Sequence, residues 1–275
     1  MKSLILSVFV FCVAAVCAAQ VRTNGVVQPL PSAPQLLIPA AGTLAGANGT
    51  FFRSDIAIAN FADHDQLVKL QWLPEGASST VTKTIALTRL NFVHFGDFVA
   101  DVLGQTGLGA ILVTGVTSSG DPDPNAALYV QSQIWTPAFG GTTSQSFPAI
   151  PTASINTSSA GLFFPRPQRD GSFRANVGVV NLDPVNAQTI QIAIPSPLPV
   201  LNVTLVVPPM GMQVAPLGDA SPFAELNIAN ATPASTKSNS WVAWGSTIDN
   251  VTGDAWSELA VANAPQLIFP TPIGK

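Results

Sequence analysis

Apolar and polar residues alternate along most of this chain with a period of two. Between Arg53 and Asn60 the alternation sets Ile56 and Ile58 on one face. After the turn Ala62-Asp63-His64-Asp65, the stretch from Leu67 to Trp72 puts Val68, Leu70 and Trp72 on one side and Leu67, Lys69 and Gln71 on the other. Val81 to Leu87 alternates again. This pattern predicts half-buried strands of an antiparallel sheet. Further strands are expected over Gln35–Pro39, Phe92–Phe95, Ala110–Val116 and Leu128–Thr136. A short helix fits over Asp97–Leu103, capped by Asp97 and stopped by Gly104. Ala40–Thr50, rich in Gly and Ala, reads as a loop, as does the turn-rich segment Ser118–Asn125.

The pattern recurs. Gly49-Thr50-Phe51-Phe52-Arg53-Ser54-Asp55 opens a strand that ends on Asn60; it returns, degraded, as Gly171-Ser172-Phe173-Arg174-Ala175-Asn176 before a strand ending on Asn181. The same spacing separates Arg53 from Arg174 and Asn60 from Asn181. One extra residue enters the next turn, and Val68, Leu70 and Trp72 then fall on Ile190, Ile192 and Ile194. A slip of one residue would have flipped every side chain, so the shared phase tests the alignment. Ala33-Pro34-Gln35-Leu36-Leu37-Ile38-Pro39 is echoed by Gly161–Pro165 and again by Ala264–Pro270. The last echo either closes the second unit or opens a longer array; closure is preferred, because an unpaired apolar strand invites aggregation. Each unit has the size of a β-sandwich domain. The expected fold is therefore all-β: two tandem immunoglobulin-like β-sandwich domains related by an internal repeat. The expected limits are a signal peptide at 1–19, a linker at 20–34, and sandwich repeats at 35–152 and 153–275.

The signal peptide rests on Lys2, the uncharged apolar run Leu4–Val16 and the small residues Ala18-Ala19 before Gln20. Both cysteines, Cys12 and Cys17, lie inside it, so the mature chain would have neither disulfide nor thiol chemistry. Its stability must then come from core burial. Charged residues make up 9% of the 275, with a formal net charge of −4. That is far below the ~25% of an average soluble domain. It argues against a nucleic-acid partner, which demands a basic surface, and against disorder. A surface of Ser, Thr, Asn, Gln, Gly and Pro could pack closely on other copies or on uncharged polymers. A single Tyr and the absence of aromatic girdles speak against an outer-membrane barrel.

With these residues in place a resemblance appears. Leu37-Ile38-Pro39-Ala40-Ala41-Gly42 followed by Gly46-Ala47-Asn48-Gly49-Thr50-Phe51-Phe52-Arg53-Ser54-Asp55 resembles a motif of uncharacterised secreted bacterial proteins built of tandem β-sandwich units. The resemblance implies export and a sandwich fold. It brings no catalytic residues with it.

Candidate chemistry is sparse. His64 lies between Asp63 and Asp65, but neighbours on an extended turn seldom converge on one metal ion. His94 follows Phe92 with no nucleophile motif, and reads as a satisfied, partly buried histidine. Asp97 and Asp101 have helical spacing, yet Asp97 reads better as a cap. Asp121-Pro122-Asp123-Pro124-Asn125 reads as a rigid turn. Several Asn-x-Ser/Thr triplets have the form of glycosylation acceptors, which chance supplies in such a composition.

Three residues remain as candidate ligand contacts. Arg53 and Arg174 recur at matched positions; each could bind a ligand, or stack on a neighbouring Phe and bond a loop carbonyl. Trp244 has opposite parity to Trp241 and is the tryptophan expected to face solvent, whereas Trp72 is expected in the core. No catalytic residue, metal site or cofactor is expected. The expected role is an exported, non-enzymatic structural or adhesive module of the cell surface, periplasm or extracellular matrix. Its expected partners are other surface proteins, polysaccharide or further copies of itself. The alternative is a carbohydrate-binding protein using exposed Trp and amide side chains.

Overall fold

The computed structural model describes residues 32–46, 49–138, 140–163, 173–194, 201–217 and 225–263. The expected signal peptide, most of the linker, Ala47-Asn48, Gly171-Ser172 and the third echo at 264–270 lie outside the described residues.

The protein is all-β. The first half runs β1 (Gln35–Ala45), β2 (Phe51–Asn60), β3 (Gln66–Pro74), β4 (Val81–Leu87), β5 (Phe92–Phe95), the one-turn helix α1 (Phe98–Asp101), β6 (Gly107–Val116), β7 (Leu128–Ala138), β8 (Gly141–Ser146) and β9 (Ile150–Pro151). The second runs β10 (Ser159–Phe163), β11 (Phe173–Asn181), β12 (Gln188–Ile194), β13 (Leu201–Val207), β14 (Gly211–Pro216), β15 (Glu225–Asn230), β16 (Trp241–Asp249), β17 (Ala255–Leu259) and β18 (Val261–Ala262). In the first half, β4-β3-β6-β1-β9 and β5-β2-β7-β8 form two antiparallel layers, joined where Leu44 and Ala45 pair with Phe52 and Phe51. In the second, the layers are β13-β12-β15-β10-β18 and β14-β11-β16-β17. The strand orders of the two halves correspond one for one.

Three apolar clusters hold these layers together. Ile56, Ile58, Val68, Leu70, Trp72, Ile111, Val113 and Phe98 fill the space between the first two layers. Val177, Val179, Ile190, Ile192, Leu226, Ile228 and Trp241 fill the corresponding space in the second half. Trp72 is thus in the core, as its alternation predicts, and Ile190 and Ile192 share the phase of Val68 and Leu70. The third cluster joins the halves. Leu37, Ala40, Leu73, Ala110 and Leu112, on the outer face of the β3-β6-β1 layer, meet Val180, Met212, Val242 and Trp244 from the β14-β11-β16 layer. We call this contact the seam.

The seam explains the sequence of β1. Leu36 to Ala41 is buried without interruption, because a strand covered on both faces has no polar side to show. The Gly/Ala tract expected to loop is strand as far as Ala45; small side chains suit a sheet pressed from both sides. A register shift between Ile38 and Ala41 accommodates Pro39, which has no N–H to give the ladder.

Buried amides tie the turns of both halves alike. Asn60 Nδ2 donates to the carbonyls of His64 (2.8 Å) and Thr88 (3.2 Å), while its Oδ1 accepts from the Ala62 N–H. Asn181 Nδ2 donates to Asn186, Val207 and Pro208, and its Oδ1 accepts from the Asp183 N–H. Both asparagines are fully buried. The Asn that ends β2 and the Asn that ends β11 are therefore each a clamp on the following turn.

Asp97 differs from expectation. It precedes α1, but its side chain makes no cap bond. Its carboxylate instead accepts from the Thr43 hydroxyl and faces Arg53 Nε at 3.5 Å. Phe98 and Val99 anchor the turn in the core, and Gly104, at φ 66°, ends it as expected.

Candidate binding face of the first half

The strand register lays out the outer face of the β5-β2-β7 layer as a grid. Ala59 lies between Phe92 and Tyr129, and Ala57 between His94 and Gln131. Asp55 lies beside Gln133, and Arg53 beside Trp135. Two alanines on the central strand, with longer side chains to either side, make a trough along β2. Its environment is wet: Phe92 is 66% exposed, and His94 and Gln131 are exposed as well.

Electrostatics order this face internally. His94 Nε2 is paired with Asp55 Oδ1, and Gln133 Nε2 reaches the other carboxylate oxygen at 3.5 Å. Histidine and carboxylate come from β5 and β2, 39 residues apart in sequence. His94 is therefore satisfied, as expected, but exposed rather than partly buried. Ser132 belongs to the opposite face, across from Ile56, so His94 and the Ser132 hydroxyl do not line up as base and nucleophile. Asp55, Ala57, His94, Tyr129, Gln131 and Gln133 line one side of a cleft of about 540 Å³; Ser146 to Ala149 line the other.

Arg53 is engaged within the protein. Its guanidinium lies 4.9 Å from the Phe51 ring centre and 5.7 Å from that of Trp135, and it meets Asp97. The expected stacking is present, with a carboxylate where a loop carbonyl was expected. Trp135 donates its indole N–H to the Gly96 carbonyl at 3.2 Å. Arg174 does a different job: it donates to Asn250 Oδ1 at 2.6 Å and lines a smaller cleft, about 230 Å³, between β7-β8 and the 248–253 turn.

Trp244 overturns its expectation. It does point away from the apolar cluster that holds Trp241, as parity requires, but it is only 3% exposed. Phe147 of the first half meets it edge to face at 5.2 Å. A Cβ on Gly178, its cross-strand neighbour, would lie 2.2 Å from the indole, so glycine there makes room for the ring. Trp244 is a seam residue and offers no surface to a ligand.

The remaining candidates stay local. His64 sits between Asp63 (3.2 Å) and Asp123 (3.5 Å), and hydrogen bonding to Asp63 raises its pKa above the ordinary histidine value. Asp65 turns away to accept the Arg89 N–H at 2.9 Å, so the Asp-His-Asp triplet does not converge. Among the described residues no helix is long and apolar enough to cross a membrane.

No protein-family model and no curated protein matches the chain. Among solved structures, one titled "Biofilm associated protein - BSP domain" is similar with a TM-score of 0.20 and 9% identity, over 87% of this chain. The chain spans 62% of that structure's length. A likeness this shallow carries no weight for fold or function.

Proposed function

We propose that the chain is exported and serves, without chemistry of its own, as a structural or adhesive module of the cell surface or extracellular matrix. In this reading it is built as two copies of one immunoglobulin-like sandwich. The matching strand orders, the matched Asn clamps and the phase shared by Val68 and Ile190 support the duplication. The leader-like residues before Gln20, the low charge and the resemblance of the Ile38-Pro39-Ala40-Ala41-Gly42 stretch support export.

The observation that carries the reading is the seam. It is apolar at its centre and hydrogen-bonded at its rims. On one rim Gly76 and Ser79 donate their N–H groups to Met212 O (2.8 Å) and Met210 O (2.9 Å). On the other, Thr143 donates to Gly253 O, Gln145 donates to Trp256 O, and Gln145 accepts from Ser246. A dry seam sealed on two sides makes the halves one stiff body, which suits a spacer or an adhesin better than a hinged enzyme.

Fractionation of cells expressing the full chain tests this directly. The expected product starts at Gln20, lies outside the cytoplasm and is cut by protease added to intact cells or to the matrix. A chain that keeps residues 1–19 and stays in the cytoplasm would refute the reading.

A further inference from the structure

We infer that the trough along β2 and the adjoining cleft bind a neutral glycan chain. The inference rests on the adhesive reading above and names its ligand and its site.

The matching face in the second half sets the contrast. There the outer positions are Met212, Val180 and Val242, then Val214, Gly178 and Trp244, and they are covered by the first half. In the first half the same positions carry Phe92, Ala59 and Tyr129, then His94, Ala57 and Gln131. This face mixes apolar and polar side chains and is open to solvent at Phe92, His94 and Gln131, while Phe61 stacks on the Tyr129 ring at 5.8 Å. Its cleft of about 540 Å³ falls within the ~300–1,000 Å³ usual for ligand pockets.

The groups in the cleft fit sugar hydroxyls. Gln131 and Gln133 offer planar amides that both donate and accept, Asp55 accepts, and the Ser146 hydroxyl does either. Tyr129, with one ring face stacked on Phe61, lines the cleft and adds an aromatic surface for the apolar side of a ring. The two titratable side chains in the lining, Asp55 and His94, bond to each other, and no Lys or Arg lines the cleft to call for an anionic ligand.

One further feature points to an absent partner. Leu128 exchanges bonds with Ala33 on one edge of β7, and Ser132 O accepts the Phe147 N–H on that same edge. Ladder alternation therefore turns the backbone N–H and C=O of Val130 toward that edge, where no described strand pairs with it. The gap is one residue long between two anchors. It is too short to accept a peptide strand, but it can serve a hydroxyl.

The test uses the purified full chain against immobilised neutral oligosaccharides (glucans, mannans and N-acetylglucosamine oligomers) and uronate-containing chains. Binding to a neutral class is expected. Gln131→Ala and Asp55→Ala should each weaken it at least tenfold without changing the melting temperature. Gln191→Ala, on the outer face of β12, should leave it unchanged. Absence of neutral-glycan binding, preference for uronate chains, or binding that survives both cleft variants would overturn the inference. A chain found at the cell surface that binds no neutral glycan would sink this inference and leave the adhesive reading standing. Binding by a chain retained inside the cell would do the reverse.

Discussion

The outer faces of β2–β7 and β11–β16 occupy corresponding places in the two halves, yet one is wet and the other dry. Gln131 and Trp244 sit at matching positions, as do His94 and Val214, Tyr129 and Val242, and Ala57 and Gly178. The backbone does not decide which face docks. A few side chains do: an indole over a glycine makes a surface that must be covered, while amides and a paired carboxylate make one that can stay in water. The inner faces differ far less, because both must fill an apolar space between two layers.

The largest effect should come from removing the seam's anchor. Trp244→Ala deletes a large buried ring, and losses of about 3–5 kcal/mol are usual for such truncations. Its counterpart, Gln131→Ala, should stay within about 0.5 kcal/mol, as exposed substitutions do. Urea unfolding of the two variants measures the contrast; equal costs would break it.

The clamps come next and probe where the halves agree. Asn60→Ala and Asn181→Ala should each cost about 2–3 kcal/mol, since buried carbonyls lose their donor in both cases. Similar losses in chemical denaturation would support the duplication. A loss at one site alone would argue that the matched asparagines do different work.

The seam's rim should matter less than its centre. Gln145→Ala removes bonds to Trp256 O and Ser246 Oγ at a partly exposed site, and about 1 kcal/mol is expected from thermal melts.

The smallest effects are those of pH, and they have opposite signs in the two halves. The pKa of His64 is raised by its bond to Asp63. Its stabilisation is complete below the unfolded value of 6.5 and is lost as pH rises through the higher folded value. The pKa of Asp249 is lowered by the backbone N–H groups of Thr252 and Val251. Its stabilisation is present above 3.8 and fades as pH falls through the lower folded value. His64→Ala should flatten the melting-temperature profile on the alkaline side of 6.5, and Asp249→Asn on the acid side. Swapped sides would contradict the assignment.

Much of this fold can be read from two-residue periodicity. Val81–Leu87 and Phe92–Phe95 are strands with the limits their alternation predicts, and Trp72 is core. What periodicity cannot carry is a third layer. Parity correctly turns Trp244 away from the Trp241 cluster, but only the neighbouring sheet says that the outside is dry. The clue in sequence was the unbroken apolar run of Leu36–Ala41, which is too apolar for a strand with one wet face. The candidate face was hidden for a different reason. Asp55 and His94 meet through the pairing of β2 with β5, a contact that no local pattern encodes.

Hydroxyl-radical footprinting of the intact purified chain tests the two-face comparison most directly. Met212 and Trp244 should be protected to the degree of the core residue Trp241, while Phe92, Tyr129 and Trp135 are oxidised. Oxidation of Met212 and Trp244 at the rate of Phe92 would show that the seam is open in solution, and the contrast between the two faces would fall with it.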